Sequence, residues 1–149
     1  MPDIQRHLDR DHLMPVGRLD LNTEGLLLVS DSGRLVDQIF RSKPERIYRA
    51  RVRGQVDESK LASLQQSTVW RGVRYDGCQV RLLEPQTGSN AWLEVALRSG
   101  KNREVRNLLE SVSLSVSRLI RITFGPYRLP RELEKGELME VDNLFKLGT

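Results

Sequence analysis

The sequence is poor in the residues that build disulfide frameworks and metal sites. Its 149 residues include one cysteine, Cys78, and two histidines, His7 and His12. A single cysteine excludes a disulfide framework and a zinc site with several thiolate ligands. Two histidines in a polar segment do not suggest a metal site either. We therefore expect a fold held together by its apolar core, without a bound metal.

Long apolar runs are also lacking. No segment is long enough to cross a membrane, and the first residues do not form a signal peptide. The length fits one domain, which buries about two-thirds of the surface that its unfolded chain would expose. We expect a single cytoplasmic domain, preceded by a polar leader at residues 1–15 in which no strand is predicted.

Positive charge is in excess and is unevenly distributed. The 24 lysines and arginines outnumber the 20 acidic residues, which leaves a net charge of +4. The basic residues of the first cluster are Arg41, Lys43, Arg46, Arg49, Arg51 and Arg53, and those of the second are Lys101, Arg103, Arg106, Arg118 and Arg121. Such clusters favour a polyanionic partner bound through its phosphates. The alternative is an ordinary solvated basic surface.

The stretch from Val16 to Ser30 combines a polar loop with an apolar run. Arg18, Asp20, Asn22 and Thr23 stand between two glycines, and four apolar residues follow at 26–29. That run predicts a buried core strand ending in the turn after Ser30. Asp20 is then either a reactive carboxylate on a rigidly anchored loop or the closing residue of an Asx turn.

The remaining pattern predicts an α+β domain built on a mixed, largely antiparallel β-sheet with a few short helices. Helices are predicted at 34–40, 57–64 with Asp57 as N-cap, and 103–112. Strands are predicted at 47–53, within 69–83 as a hairpin turning at Asp76-Gly77, at 91–98, at 116–124 and at 138–141.

Two of these elements carry candidate functional groups. Strict alternation turns Tyr48 inward, towards the core or a pocket in it, while the arginines of the same strand point outward. Arg103 and Arg106 fall at the start of a helix, where cations oppose the helix dipole. A local rule broken in this way is typical of a functional site. A buried packing tyrosine and a solvated basic helix end are the alternatives.

Several segments, in chain order, resemble the ribosomal RNA pseudouridine synthases of the bacterial RsuA-like family, with the large-subunit enzymes as the nearer match. They are Gly17-Arg18-Leu19-Asp20 with Asn22-Thr23-Glu24-Gly25-Leu26-Leu27-Leu28, Tyr48 in a basic strand, Gly100-Lys101-Asn102-Arg103-Glu104-Val105-Arg106, and Ser117-Arg118-Leu119-Ile120-Arg121 with Gly125. The resemblance implies the catalytic fold of those enzymes and conversion of a specific rRNA uridine to pseudouridine, without a cofactor.

The resemblance also implies roles for individual residues. Asp20 corresponds to the essential catalytic aspartate, Arg18 to the arginine that enters the RNA stack, and Tyr48 to the tyrosine beside the target base. Arg106, with Arg103 as second choice, corresponds to the basic partner of the aspartate, within salt-bridge reach, and Leu119 to an apolar neighbour of the tyrosine. The residues expected to contact RNA are Arg18, Thr23, Lys101, Arg103, Arg118 and Arg121.

The chain departs from the family pattern in identifiable places. An S4-type RNA-binding domain and the strand with a Lys-Pro-x-Gly motif do not precede the first motif, Lys101 stands where arginine is common, and Arg41-Ser42 replaces a more usual His-Pro. We expect a catalytic domain at 16–142 and a tail at 143–149. The expected partner is ribosomal RNA, with no membrane association and a monomeric state.

Two other functions remain open from the sequence. The first is a catalytically silent RNA-binding or ribosome-assembly factor that retains the fold. The second is a nucleoside or glycoside hydrolase, although such enzymes usually place two carboxylates beside the scissile bond. Only Asp20 stands in a suitable motif.

Overall fold

A computed structural model describes residues 13–17, 19–101 and 103–137. The strands are β1 (Met14–Val16), β2 (Thr23–Gly25), β3 (Leu28–Ser30), β4 (Arg46–Arg53), β5 (Thr68–Trp70), β6 (Val73–Tyr75), β7 (Gln79–Leu82), β8 (Asn90–Leu97), β9 (Ser115–Phe124) and β10 (Tyr127–Arg128). The helices are α1 (Gly33–Ser42), α2 (Glu58–Ser63) and α3 (Glu104–Ser111). No helix in the described ranges is long and apolar enough to span a bilayer.

A six-stranded sheet organises the fold. Its strands run in the order β10-β9-β4-β8-β7 with antiparallel neighbours, and β2 joins β9 in parallel. The remaining strands form two antiparallel ribbons, β1 with β3 and β5 with β6. The predicted α+β class with a mixed, largely antiparallel sheet is confirmed.

The alternation predicted for β4 is confirmed. Ala50 and Val52 are 0% exposed, whereas Arg49, Arg51 and Arg53 are exposed. The inward face of the sheet packs against α3, whose Leu108 and Leu109 are buried in the same core. Residues spaced by two on a strand and by three or four on a helix form one continuous apolar core.

The predicted helices are present within two residues of their expected ends. In α2 the Asp57 side chain caps the N-terminus by accepting a 2.9 Å hydrogen bond from the Lys60 amide. In α1 the Ser32 hydroxyl accepts from the Leu35 amide at 3.2 Å. Such caps depend on local sequence, and sequence patterns therefore locate these helices well.

The prediction of one continuous buried strand at 26–29 is wrong. The chain forms β2 in the main sheet and β3 in the ribbon with β1, and Leu27 between them is 43% exposed. The prediction that residues 1–15 hold no strand is wrong as well, since β1 begins at Met14. Both outcomes depend on pairing partners elsewhere in the chain, which apolar periodicity does not reveal.

The hairpin turn predicted at Asp76-Gly77 is misplaced. The turn lies at Arg71-Gly72, where φ is +51° and +80°, and Trp70 pairs with Val73. Positive φ at both central residues is typical of a type I′ turn, and arginine is an unusual residue there. Gly77 instead lies against the carbonyl of Gln65, where a Cβ would overlap it. The strand predicted at 138–141 lies outside the described residues.

Candidate active site

A cavity of about 580 Å³ opens between the loop before β2, the inward face of β4 and β9, and the start of α3. It has the size of a typical small-ligand pocket. The predicted site residues on its wall are Asp20, Thr23, Tyr48, Lys101, Arg103, Leu119 and Arg121. The loop that carries Asp20, the strand that carries Tyr48 and the helix start that carries Arg103 therefore meet at one site, as the resemblance implies. Arg18 lies outside the described residues.

Asp20 sits on a tight turn that does not use its carboxylate. The Thr23 amide donates a 2.9 Å hydrogen bond to the main-chain carbonyl of Asp20. Among the described residues, the half-buried side chain of Asp20 accepts no hydrogen bond and forms no ion pair. The structure thus argues against an Asx turn and leaves a carboxylate at the cavity wall available for chemistry.

Arg106 binds the backbone of the turn that carries Asp20 and does not form an ion pair with the Asp20 carboxylate. Its guanidinium donates to the Asn22 carbonyl at 2.8 Å and to the Val116 carbonyl at 3.4 Å. Burial is the main cause that lowers the pKa of Arg106, while the charge of Asp20 acts in the opposite direction. The expected contact between Asp20 and Arg106 or Arg103 is not formed among the described residues. Arg106 therefore binds the turn that carries Asp20 through the Asn22 carbonyl. Its positive charge attracts the Asp20 carboxylate over a distance longer than an ion pair.

Tyr48 lies half-buried on the inward face of β4 and borders the cavity, as alternation predicts. Its cross-strand partner on β9 is Arg121. Burial is the main cause that lowers the pKa of Arg121, and the neighbouring Tyr48 acts in the opposite direction. Leu119, one step along the same inward face of β9, borders the cavity as well.

Arg121 is not a surface residue. It is 1% exposed and donates to the carbonyls of Leu26 and Gly17 at 2.8 and 3.0 Å. Its guanidinium also stacks on the Phe124 ring, 4.9 Å from the centroid. Its expected contact with RNA from an exposed basic cluster does not match this position, because its donors point to protein groups.

Arg118 lies on the opposite, exposed face of β9. Its guanidinium makes a two-pronged ion pair with Glu24, with distances of 2.9 and 3.1 Å. This hydrogen-bonded pair is the main cause that lowers the pKa of Glu24. Arg118 does not border the cavity, so any contact it makes with RNA would lie beside the site rather than in it.

The start of α3 closes one side of the cavity. Arg103 is the N-cap, in a left-handed conformation with φ of +53°, and it is exposed at the cavity wall. The Lys101 ammonium donates to the Arg74 carbonyl and lies 5.6 Å from the centre of the Tyr75 ring. The predicted arginine-rich helix start is present, and an unforeseen carboxylate lies within it.

That carboxylate belongs to Glu104, which sequence reasoning missed. It is buried, and one of its oxygens accepts a 3.1 Å hydrogen bond from the Lys101 amide, which closes the helix start. Arg46 was missed too, as one arginine among many in the first cluster. It is buried beside the cavity and stacks on Phe124 at 4.9 Å. The same even-numbered alternation that placed Tyr48 inward could have found Arg46.

No group of three or more histidine, cysteine or acidic side chains is placed to hold a metal ion within the described ranges. In the described part of the cavity wall, the groups available for chemistry are the Asp20 and Glu104 carboxylates, the Tyr48 phenol, the Lys101 ammonium and several guanidinium groups.

Comparison with known proteins identifies the family. Residues 3–111 match the sequence model described as RNA pseudouridylate synthase. The chain belongs to the RNA pseudouridylate synthase family. Solved structures show the same fold: a crystal structure of a pseudouridylate synthase superposes with a TM-score of 0.77 at 24% identity, covering 91% of this chain and 60% of that one.

Curated members of the family include close relatives of this chain. It is 40% identical over 136 residues to ribosomal large subunit pseudouridine synthase B of Salmonella typhi, covering 85% of this chain and 44% of that protein. It is 41% identical over 133 residues to the protein of the same name from Haemophilus influenzae, covering 85% and 36%. The chain spans less than half the length of these relatives.

Proposed function

We propose that this chain is a ribosomal RNA pseudouridine synthase that isomerises a uridine of large-subunit rRNA. One observation carries the proposal: the carboxylate of Asp20, which forms no ion pair with another described residue, and the phenol of Tyr48 border one cavity that has a basic rim. Membership of the family and the names of the curated relatives support it. RNA is the partner that the surplus of arginine and lysine favours.

The reaction breaks the bond between ribose C1′ and base N1, turns the base, and joins C1′ to C5. The proton on C5 then leaves and N1 gains one, so the product is an isomer of uridine. Asp20 either attacks C1′ or removes the C2′ proton to give a glycal, since a carboxylate serves both steps. Tyr48 borders the cavity, where its hydroxyl would face the base and relay the C5 proton to water by giving up its own proton as it takes up the one from C5.

The target base has to leave the RNA stack before it reaches this cavity. Flipping a base costs a few kcal/mol, which contacts elsewhere must offset. Arg103, Lys101 and Thr23 stand on the cavity wall, where they would contact the backbone beside the flipped nucleotide. Arg18 is proposed as the side chain that fills the gap left in the stack.

A glycoside-hydrolase mechanism fits the cavity poorly. Besides Asp20, the part of the cavity wall that the structure describes includes one carboxylate, that of Glu104. It is buried, and one of its oxygens accepts a hydrogen bond from the Lys101 amide at the start of α3. A buried carboxylate bound to the helix start in this way is poorly placed to protonate a leaving group as a general acid.

The test is pseudouridine formation in large-subunit rRNA transcribed in vitro, which carries no modification. The wild-type chain is expected to convert one uridine, detected by mass spectrometry of RNA fragments. Asp20→Asn keeps the shape of the side chain and is expected to bind the RNA without converting it. Asp37→Asn is the matched control, because Asp37 is exposed on α1 and pairs with Arg41 away from the cavity.

Each outcome of this experiment has a distinct meaning. Binding without conversion by the wild-type chain would contradict the proposal and support a silent RNA-binding factor. Release of free uracil would indicate a hydrolase. Full activity of Asp20→Asn would show that another group performs the chemistry.

A further inference from the structure

We propose that Arg121 is a positioning residue that holds both ends of the loop carrying Asp20, opposite Tyr48 on the neighbouring strand. The proposal rests on the proposed function for its catalytic meaning. It assigns Arg121 to the interior of the site rather than to the RNA-contacting surface.

The two ends of the loop meet at one guanidinium. Residues 18–25 carry Asp20 between Gly17 and Leu26, and Arg121 donates to the carbonyls of both flanking residues at 3.0 and 2.8 Å. The planar fork of an arginine reaches two acceptors in fixed directions, which lysine does not do. Arg121 thereby closes the loop at its base.

The backbone of Arg121 reinforces this closure. Its carbonyl accepts a 2.8 Å hydrogen bond from the Leu26 amide, so Leu26 is bound to Arg121 through both its amide and its carbonyl. Gly25 and Arg121 are opposite each other in the parallel pairing of β2 with β9. The close approach of the two backbones leaves no room for a Cβ at Gly25.

The same residue reaches Tyr48. Tyr48 and Arg121 are cross-strand partners on β4 and β9, and their side chains share the inward face of the sheet. Side chains directly opposite in antiparallel strands lie within contact distance. Arg121 therefore lies between the strand that carries Tyr48 and the loop that carries Asp20, so its position affects the placement of one relative to the other.

The environment of Arg121 supports a positioning role. It is 1% exposed, forms no ion pair within the described part of the chain, and stacks on the ring of Phe124. A buried charge whose hydrogen-bond acceptors are neutral carbonyls costs free energy, so a role in holding a defined geometry explains Arg121 better than a gain in stability does. An arginine meant for phosphate contacts would instead be exposed, as Arg118 is.

The experiment compares Arg121→Met and Arg121→Lys with the matched control Arg81→Met. Arg81 is an exposed arginine on β7 whose ion pair with Glu94 lies outside the cavity. Three quantities are measured for each chain: the single-turnover rate on in vitro transcribed rRNA, the dissociation constant with its salt dependence, and amide hydrogen exchange of Thr23 and Leu26.

The positioning role predicts a separation of rate from affinity. Misplacing a catalytic group by about 1 Å costs roughly 100-fold in rate. We expect a loss of this order for Arg121→Met and a smaller but clear loss for Arg121→Lys, with an unchanged dissociation constant. Thr23 and Leu26 are expected to exchange about tenfold faster or more, because charge-assisted hydrogen bonds are lost. Amides of Ala50 and Val52 should keep their protection.

A role in RNA contact predicts the reverse pattern. Affinity would fall, and the salt dependence would lose about one phosphate contact. That result, or unchanged exchange at Thr23 and Leu26, would overturn the proposal. If Arg121→Met does not fold, Arg121→Lys carries the test, since it keeps the charge and most of the side chain.

Hydrogen exchange separates this proposal from the proposed function. An inactive wild-type chain whose loop amides respond to Arg121→Met would contradict the synthase assignment and keep the positioning role. An active wild-type chain whose rate is the same in Arg121→Met would keep the synthase assignment and contradict the positioning role.

Discussion

Replacing Gly25 by alanine should damage the site through the backbone alone. Gly25 has φ of +106°, and a Cβ there would overlap the Arg121 carbonyl and lie 2.7 Å from its amide nitrogen. Optimal separations begin near 3.5 Å, so β2 and β9 would have to separate by about 1 Å. No rotation of a side chain relieves a clash between two backbones.

Gly72 supplies the matched control. Its φ is +80° and a Cβ there would meet nothing within 4 Å. Gly72→Ala should cost about 1 kcal/mol, which is the penalty for an L-residue in a left-handed conformation. Gly25→Ala carries that penalty together with the weakening of the hydrogen bond between the Leu26 amide and the Arg121 carbonyl, for a total of about 2 kcal/mol.

Urea denaturation of both variants measures the difference in the free energy of unfolding. In a domain of this size, each kcal/mol corresponds to about 2–4 °C in melting temperature. A Gly25→Ala variant that remains folded should also lose roughly 100-fold in rate, because the loop with Asp20 moves with β2. Equal destabilisation by Gly25→Ala and Gly72→Ala would refute the close approach of β2 to β9 as the cause.

Three further outcomes are expected. Arg106→Met should lower the single-turnover rate about tenfold with little change in stopped-flow RNA binding, since it loses the charge-assisted hydrogen bond to the Asn22 carbonyl. Because its pairing with Arg118 lowers the pKa of Glu24 from its ordinary value of 4.5, Glu24 stabilises the fold above that pH and ceases to do so as the pH falls through the lowered pKa. The difference in unfolding free energy between wild type and Glu24→Gln should accordingly shrink from pH 6 to pH 3, and a constant difference would show that the ion pair contributes nothing. Burial raises the pKa of the Cys78 thiol to about 11, so iodoacetamide at about pH 8 should label it only after denaturation, as read by mass spectrometry.

The two arginines of β9 show how far sequence could go with the candidate site. Arg118 and Arg121 were expected to act alike, as members of one basic cluster. Arg118 is 51% exposed and pairs with Glu24, whereas Arg121 is buried beneath the loop that carries Asp20. Three positions along a strand place two residues on opposite faces, so the alternation that turns Tyr48 inward on β4 also separates the two arginines of β9.

Asp20 marks the other limit of sequence reasoning. Its motif left a reactive carboxylate and an Asx turn open, and the family resemblance implied the first; Asp20 lies at the cavity wall. The resemblance also implied a direct ion pair with Arg106, or with Arg103 as second choice. Arg106 is at the right helix start, but it binds the Asn22 carbonyl instead. Spacing indicates which element a residue occupies, whereas the choice between a carboxylate and a nearby carbonyl depends on how two elements dock.

The sequence by itself determined the local elements of this protein: the capped helices α1 and α2, the alternation of β4 and β8, and the arginine-rich start of α3. These follow from interactions between residues a few positions apart. Only the tertiary structure decided that residues 23–30 divide between two sheets and that one buried guanidinium joins Gly17 and Leu26 opposite Tyr48. Those contacts join segments that are far apart in the chain. They depend on which strands pair and which side chains are buried, and local sequence patterns do not contain that information.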